Sequence, residues 1–182
     1  MKNFILTLGV AVFLSACNSN TNSKNQDQQQ TIPTDSNYLK VKEMAKEIVK
    51  TGFNAGDGYQ EVWIRDYNTF ITLATEVQPQ EQIKKNLLAF FELQGDDGNI
   101  ADGFVTKESL KGKSSDYYSI TSTLAPALAA HKNTVETDQE SSLIQAVYKY
   151  IHATQDTDFL NLKVGNLSIE QRMDMAMQFL ME

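Results

Sequence analysis

VWIRDYNTFI, residues 62–71, joins a short polar-aromatic cluster to the start of an apolar periodicity. Beyond Asp66, the residues Phe70, Leu73, Ala74 and Val77 recur at helical spacing, and Pro79 closes the segment. The same period extends outward on both sides. Val41, Met44, Ala45 and Ile48 line one face of a first helix that ends near Gly52, and Ile83, Leu87, Phe90 and Phe91 mark another, closed by Gly95. Thr121 to Ala130 is rich in Ala and Leu and is expected to be helical despite Pro126. Leu143, Ile144, Val147 and Ile151 predict a long helix. Ile169, Met173, Met177 and Leu180 predict a last one, opened by Ser168 with Gln171 three residues on, the spacing of a capping box. No strict alternation is long enough for a sheet, so the expected class is all-α. The short link Val77-Gln78-Pro79 suggests antiparallel helical hairpins. The longer polar, glycine-bearing loops 95–103 and 111–118 are where such a scaffold would carry function.

The chain has 182 residues, with 23 Asp and Glu against 16 Lys and Arg. This acidic balance argues against nucleic acid as a partner, because phosphate binding needs a basic face. It is also a poor match to an anionic membrane surface. A neutral sugar or polyol is compatible with it.

Residues 1–17, MKNFILTLGVAVFLSAC, combine a charged start at Lys2, an apolar run from Phe4 to Leu14 and small residues before Cys17. The run is too short for a stable transmembrane helix. It resembles a bacterial lipoprotein signal peptide with Leu14-Ser15-Ala16-Cys17 as the lipobox. That resemblance implies lipidation at Cys17 and a place in the bacterial cell envelope, held to a membrane by the lipid anchor only. Cys17 is the single cysteine, which excludes a disulfide framework and a Cys-based metal site. Residues 18–37 are dominated by Asn, Gln, Ser and Thr, too polar to offset their ordering entropy, and read as a flexible tether. The folded domain is expected over 38–182.

Three clusters carry possible chemistry. Trp63 offers a flat apolar face for a sugar ring, while Arg65 and Asp66 can each bind pairs of hydroxyls. Equally, Asp66 stands where an N-cap would, bridged to its neighbouring arginine. Glu136, Asp138 and Glu140 head an amphipathic helix. The helix dipole alone favours acids there, and Thr137 with Glu140 has capping-box spacing, but a crowded carboxylate could also donate a proton to a leaving oxygen. The loop QGDDGNIADGF, residues 94–104, has a superficial calcium-loop look yet lacks the alternating ligands and closing glutamate of an EF-hand, so a turn-rich loop is expected. With two histidines and no spare cysteine, no metal or other cofactor is expected.

Taken together, VWIRDYNTFI resembles the W-x-R-D segment of six-hairpin (α/α)6-barrel glycosidases such as glucoamylases and debranching-type α-glucosidases. The stretch from Glu136 to Asp156 resembles their third-hairpin segment, including a T-G-D-x-x-F-L ending in which Gln155 replaces the usual glycine. The resemblance implies an inverting glycoside hydrolase acting on an oligo- or polysaccharide, with Trp63, Arg65 and Asp66 binding substrate. It places the general acid at Glu136, or at Glu140 if the debranching pattern is followed, with Asp138 and Glu140 as sugar contacts. A closed ring needs twelve helices, at least roughly 200 residues, so residues 38–182 would make about half a toroid. The general base of such enzymes comes from a late hairpin, so the chain is expected to be an N-terminal fragment with little activity alone. A non-catalytic glycan-binding or scaffold lipoprotein is the alternative.

Overall fold

The computed structural model describes residues 35–51, 60–110 and 116–181. The signal peptide, the lipobox Cys17 and nearly all of the 18–37 tether lie outside them. Among the described residues there are five α-helices: α1 (Ser36–Thr51), α2 (Ile64–Val77), α3 (Gln80–Glu92), α4 (Gln139–Thr154) and α5 (Ile169–Phe179). They are interleaved with two antiparallel sheets. Strands β1 (Val62–Trp63), β2 (Gly103–Thr106) and β3 (Leu128–His131) form the first in the order β1-β2-β3, and β4 (Lys163–Val164) with β5 (Leu167–Ser168) forms the second.

The architecture is therefore α+β. The all-α expectation is overturned, and no half-toroid of helical hairpins is evident among the described residues. The segment expected to be a helix over Thr121–Ala130 is the clearest departure. Ala125-Pro126-Ala127-Leu128 forms a turn closed by Leu128 N donating to Ala125 O at 3.0 Å, and the chain then enters β3. Proline favours the second position of such a turn and opposes helix continuation. Phe104 pairs with Val62 on one side and Ala130 on the other, so β2 is the central strand.

Helix α2 is the spine. Ile64, Tyr67, Ile71 and Ala74 are buried along one face, at the spacing that puts them on a single stripe. Gln78 is extended ahead of Pro79, which ends the helix and caps α3. The short link joins α2 to α3, and the buried Tyr67 hydroxyl donates to Ile83 O at 3.2 Å. Across α2 lies α4, with Lys149 Nζ donating to both Asn68 O (2.8 Å) and Asn68 Oδ1 (2.9 Å). The core between them holds Tyr67, Phe90, Phe91, Leu143, Val147, Tyr150 and Phe159. Ser168 and Gln171 make the predicted capping box reciprocally. Helix α1 turns out differently from its predicted face. Val49 is buried and Lys42 and Lys46 pair with Glu76 of α2, while Val41, Met44 and Ile48 face outward.

Helix α4 ends at Gln155 with φ +60°, the left-handed conformation that favours glycine, so the departure at this position falls on a backbone constraint. Next to it, Asp156 accepts from the Tyr150 hydroxyl at 2.6 Å and pairs with Lys84 at 3.1 Å. Tyr150, then Lys84, hold the Asp156 carboxyl below the usual carboxylate range. Burial, then Asp156, push the Tyr150 hydroxyl up to about 12. The lowered acid stabilises the fold above the ordinary carboxylate value of about 4 and loses that contribution as pH falls through its lowered native value. The raised phenol contributes below about pH 10 and is lost as pH rises through its native value. Asp156→Asn is expected to cost about 1–2 kcal/mol at neutral pH and to flatten the acid side of the stability profile. Urea unfolding between pH 3 and pH 7 measures this; an unchanged acid limb would show that the pair is not responsible.

Candidate functional site

The three strands of the first sheet bring distant residues to one end of the domain. Trp63 ends β1, Asp102 immediately precedes β2, and His131 ends β3. Gly103 lies opposite Trp63, and a Cβ there would stand 2.9 Å from the indole, so only glycine lets the ring lie against β2. His131 and Trp63 meet edge-to-face with ring centres 6.3 Å apart, and Tyr117 stacks on His131 at 3.6 Å. His131 Nδ1 also hydrogen-bonds Tyr117 O at 2.9 Å. An aromatic wall of three rings results.

Beside this wall is a cavity of about 460 Å3 lined by Trp63, Arg65, Asp66, Asp102, Tyr117, Asn133 and Glu136. Asp102 is buried and rigidly placed. Its backbone bonds Ile64 N (2.7 Å) and His131 O (2.8 Å), while its carboxylate accepts from Asn133 N at 2.6 Å and from the Gln139 amide. Asp102 Oδ2 is also 4.0 Å from His131 Nε2. Arg65, in the first turn of α2, donates to Glu136 and has Asp138 Oδ1 at 3.8 Å. The Glu136 bond, with Asp138 and Asp102 adding their charge, holds the guanidinium still more firmly protonated. Burial, then Asp102, Glu61 and Glu136, raise the Tyr117 hydroxyl, which stays a hydrogen-bond donor at neutral pH.

Trp63, Arg65, Asp66 and Glu136 thus line one pocket. Asp66 lies within α2 and is not its N-cap, which is Trp63. Asp138 is the N-cap residue of α4, without a side-chain capping bond, and borders the site through Arg65. Glu140 stands elsewhere. It is fully buried, pairs with Lys132 at 2.8 Å and accepts from Ile100 N at 2.9 Å. Asp102, Tyr117 and Asn133 were not singled out from sequence. Two of them come from or beside the polar loops 95–103 and 111–118, and paired tyrosines in a polar loop were the available signal. No group of three or more His, Cys, Asp or Glu among the described residues is arranged to hold a metal ion. No helix of the described residues is long and apolar enough to cross a membrane.

Two aromatic faces, three carboxylates, a guanidinium and an amide in one open pocket suit a neutral ring with many hydroxyls: the rings cover its C–H face, and the polar groups take its hydroxyls in pairs. Compared with protein-family models, curated proteins and solved structures, the chain matches none of them.

Proposed function

We propose that this domain is the sugar-binding part of a glycoside hydrolase and holds one residue of an oligo- or polysaccharide in the Trp63 pocket. The observation that carries this reading is the convergence of Trp63, Tyr117, Arg65, Asp66, Asp102 and Glu136 on one cavity from segments far apart in the chain. Trp63 is the platform, Arg65 and Asp66 bind hydroxyls, and Glu136 donates the proton to the glycosidic oxygen. The resemblance of the W-x-R-D segment to that of glycosidases supports the same roles.

The Arg65–Glu136 pair favours a second reading, glycan binding without turnover. A carboxyl that donates a proton must be released from the guanidinium when substrate arrives, whereas a pure binding site has no such requirement.

Calorimetric titration with gluco- and manno-configured mono- and oligosaccharides, alongside an assay for released sugar, tests both. Trp63→Ala is expected to weaken binding about tenfold or more through loss of the platform. In whichever form of the protein turns the sugar over, Glu136→Gln with binding kept and turnover lost supports the hydrolase, and an effect of Glu136→Gln on affinity alone supports the second reading. Absence of binding to every saccharide in the panel overturns both.

A further inference from the structure

Helix α1 turns Lys42, Lys46 and Val49 toward α2 and leaves Val41, Met44 and Ile48 63%, 58% and 71% exposed. Single exposed apolar side chains are ordinary on a protein surface. These three stand at spacings of three and four, the a/d spacing of a seam between two helices. Lys40, four residues before Met44, and Glu47, three residues after it, border the stripe on the same flank. Both line a shallow groove of about 470 Å3 together with Glu43, Met44 and Ile48. The other charges of the helix are engaged: Lys42 and Lys46 pair with Glu76, and Glu43 pairs with Lys46. Among the described residues Lys40 has no ion-pair partner, and Glu47 has only the exposed Lys50 at 3.8 Å.

We propose that this face is the interface of a homodimer, in which α1 packs antiparallel on α1 of a second copy about a two-fold axis at Met44. The charge order selects both the occupant and its direction. Parallel packing would set Lys40 against Lys40 and Glu47 against Glu47. A two-fold axis at Met44 brings position 40 opposite position 48, about 1.5 Å of rise from position 47. Lys40 of each protomer therefore meets the partner's Glu47, and the contact forms twice. The stripe is its own complement, which an unrelated helix has no reason to match. Met44 packs on its own copy, and a flexible thioether adapts well to such a self-contact. The seam is small beside the roughly 1,600 Å2 of a standard interface. The dimer is accordingly weak, with a dissociation constant on the order of 10–100 μM. It is independent of the saccharide reading, whose pocket lies on other elements.

Sedimentation velocity of the full chain from about 5 to 300 μM tests it, with a reversible monomer–dimer transition expected. Met44→Glu should weaken association at least about tenfold by placing two like charges on the axis. Val41→Ser, which is uncharged, should weaken it in the same direction. Lys40→Glu alone should weaken it about threefold or more, and adding Glu47→Lys should restore the parent value. All four positions are exposed, so the variants are expected to melt as the parent does. A chain that stays monomeric throughout overturns the proposal, as does association that persists in Met44→Glu. A dimer that the double charge reversal fails to restore overturns the antiparallel pairing. If a monomeric chain instead sediments with phosphatidylcholine vesicles and Met44→Glu releases it, the face is a membrane contact and the dimer is wrong.

Discussion

Lys132→Met is expected to destabilise the domain by about 3–5 kcal/mol, the usual result of removing one partner from a buried ion pair. Lys132 is the only cation bridged to Glu140 among the described residues, and Glu140 has no access to solvent. Without the ammonium, Ile100 N remains as a donor at 2.9 Å, which is far too little to hold a buried carboxylate. Two more acceptors, Ile100 O and Gln139 Oε1, lose their donor as well. The effect is one of unpaired charge, and the double variant isolates it. Adding Glu140→Gln to Lys132→Met removes the charge and keeps an acceptor for Ile100 N, and should restore more than half of the loss. Urea unfolding followed by circular dichroism gives both numbers. A single variant within about 1 kcal/mol of the parent would mean that the pair is solvated and the account of Glu140 is wrong.

Gly98→Ala is expected to cost about 3–4 kcal/mol, from a backbone conformation unsuited to a side chain and from forced overpacking together. Gly98 has φ +97°, and an added Cβ would lie 2.3 Å from Met175 O and 2.7 Å from Met175 C, both backbone atoms of α5. The loop has nowhere to retreat. Gln94 Nε2 ties Gly98 O at 3.0 Å and Arg172 O at 2.9 Å, while Arg172, itself buried, donates to Gln94 and to Val164 O. Gly95 is the internal control. A Cβ there would come too close only to Asp97 Oδ1 at 2.6 Å, a side-chain end that can swing away at the cost of its one bond from Asn99 N, so Gly95→Ala should cost about 1 kcal/mol. At roughly 3 °C per kcal/mol for a domain of this size, the melting temperatures should separate by about 6–9 °C. Equal melting of the two variants would refute the close approach.

The helices were legible because their apolar residues repeat over three or four turns. α2, α3, α4 and α5 fall where that repeat places them, and the α5 capping box was read directly from Ser168 and Gln171. Periodicity reveals a helix but not the side that is covered, which is why the Val41, Met44, Ile48 stripe of α1 was read as core and faces outward. The sheets were not legible for a different reason. Gly103, Phe104 and Val105 are buried on consecutive positions, as are Ala129 and Ala130, so a strand covered on both sides shows no alternation. An alanine-rich strand in particular reads as helix on propensity. The site followed the same division. Trp63, Arg65 and Glu136 announce themselves by chemistry in short contiguous segments. Asp102 becomes a site residue only because β2 pairs with both neighbours, an arrangement no local pattern encodes. Glu140 shows the converse: within the head of one helix, the acids at 136 and 140 belong to different environments, and spacing alone does not say which of them meets solvent.

The seating of Trp63 on Gly103 has an optical consequence. The chain contains one tryptophan beside seven tyrosines, so its indole emission, excited at wavelengths that the phenols do not absorb, comes from a single place in the molecule. That indole is pinned against a strand, edge-on to an imidazole, with a guanidinium and carboxylates on the cavity side. Its depolarisation therefore follows the tumbling of the domain, and its wavelength and yield follow what occupies the cavity. The protein carries its own spectroscopic label at the one position where a label would otherwise be engineered.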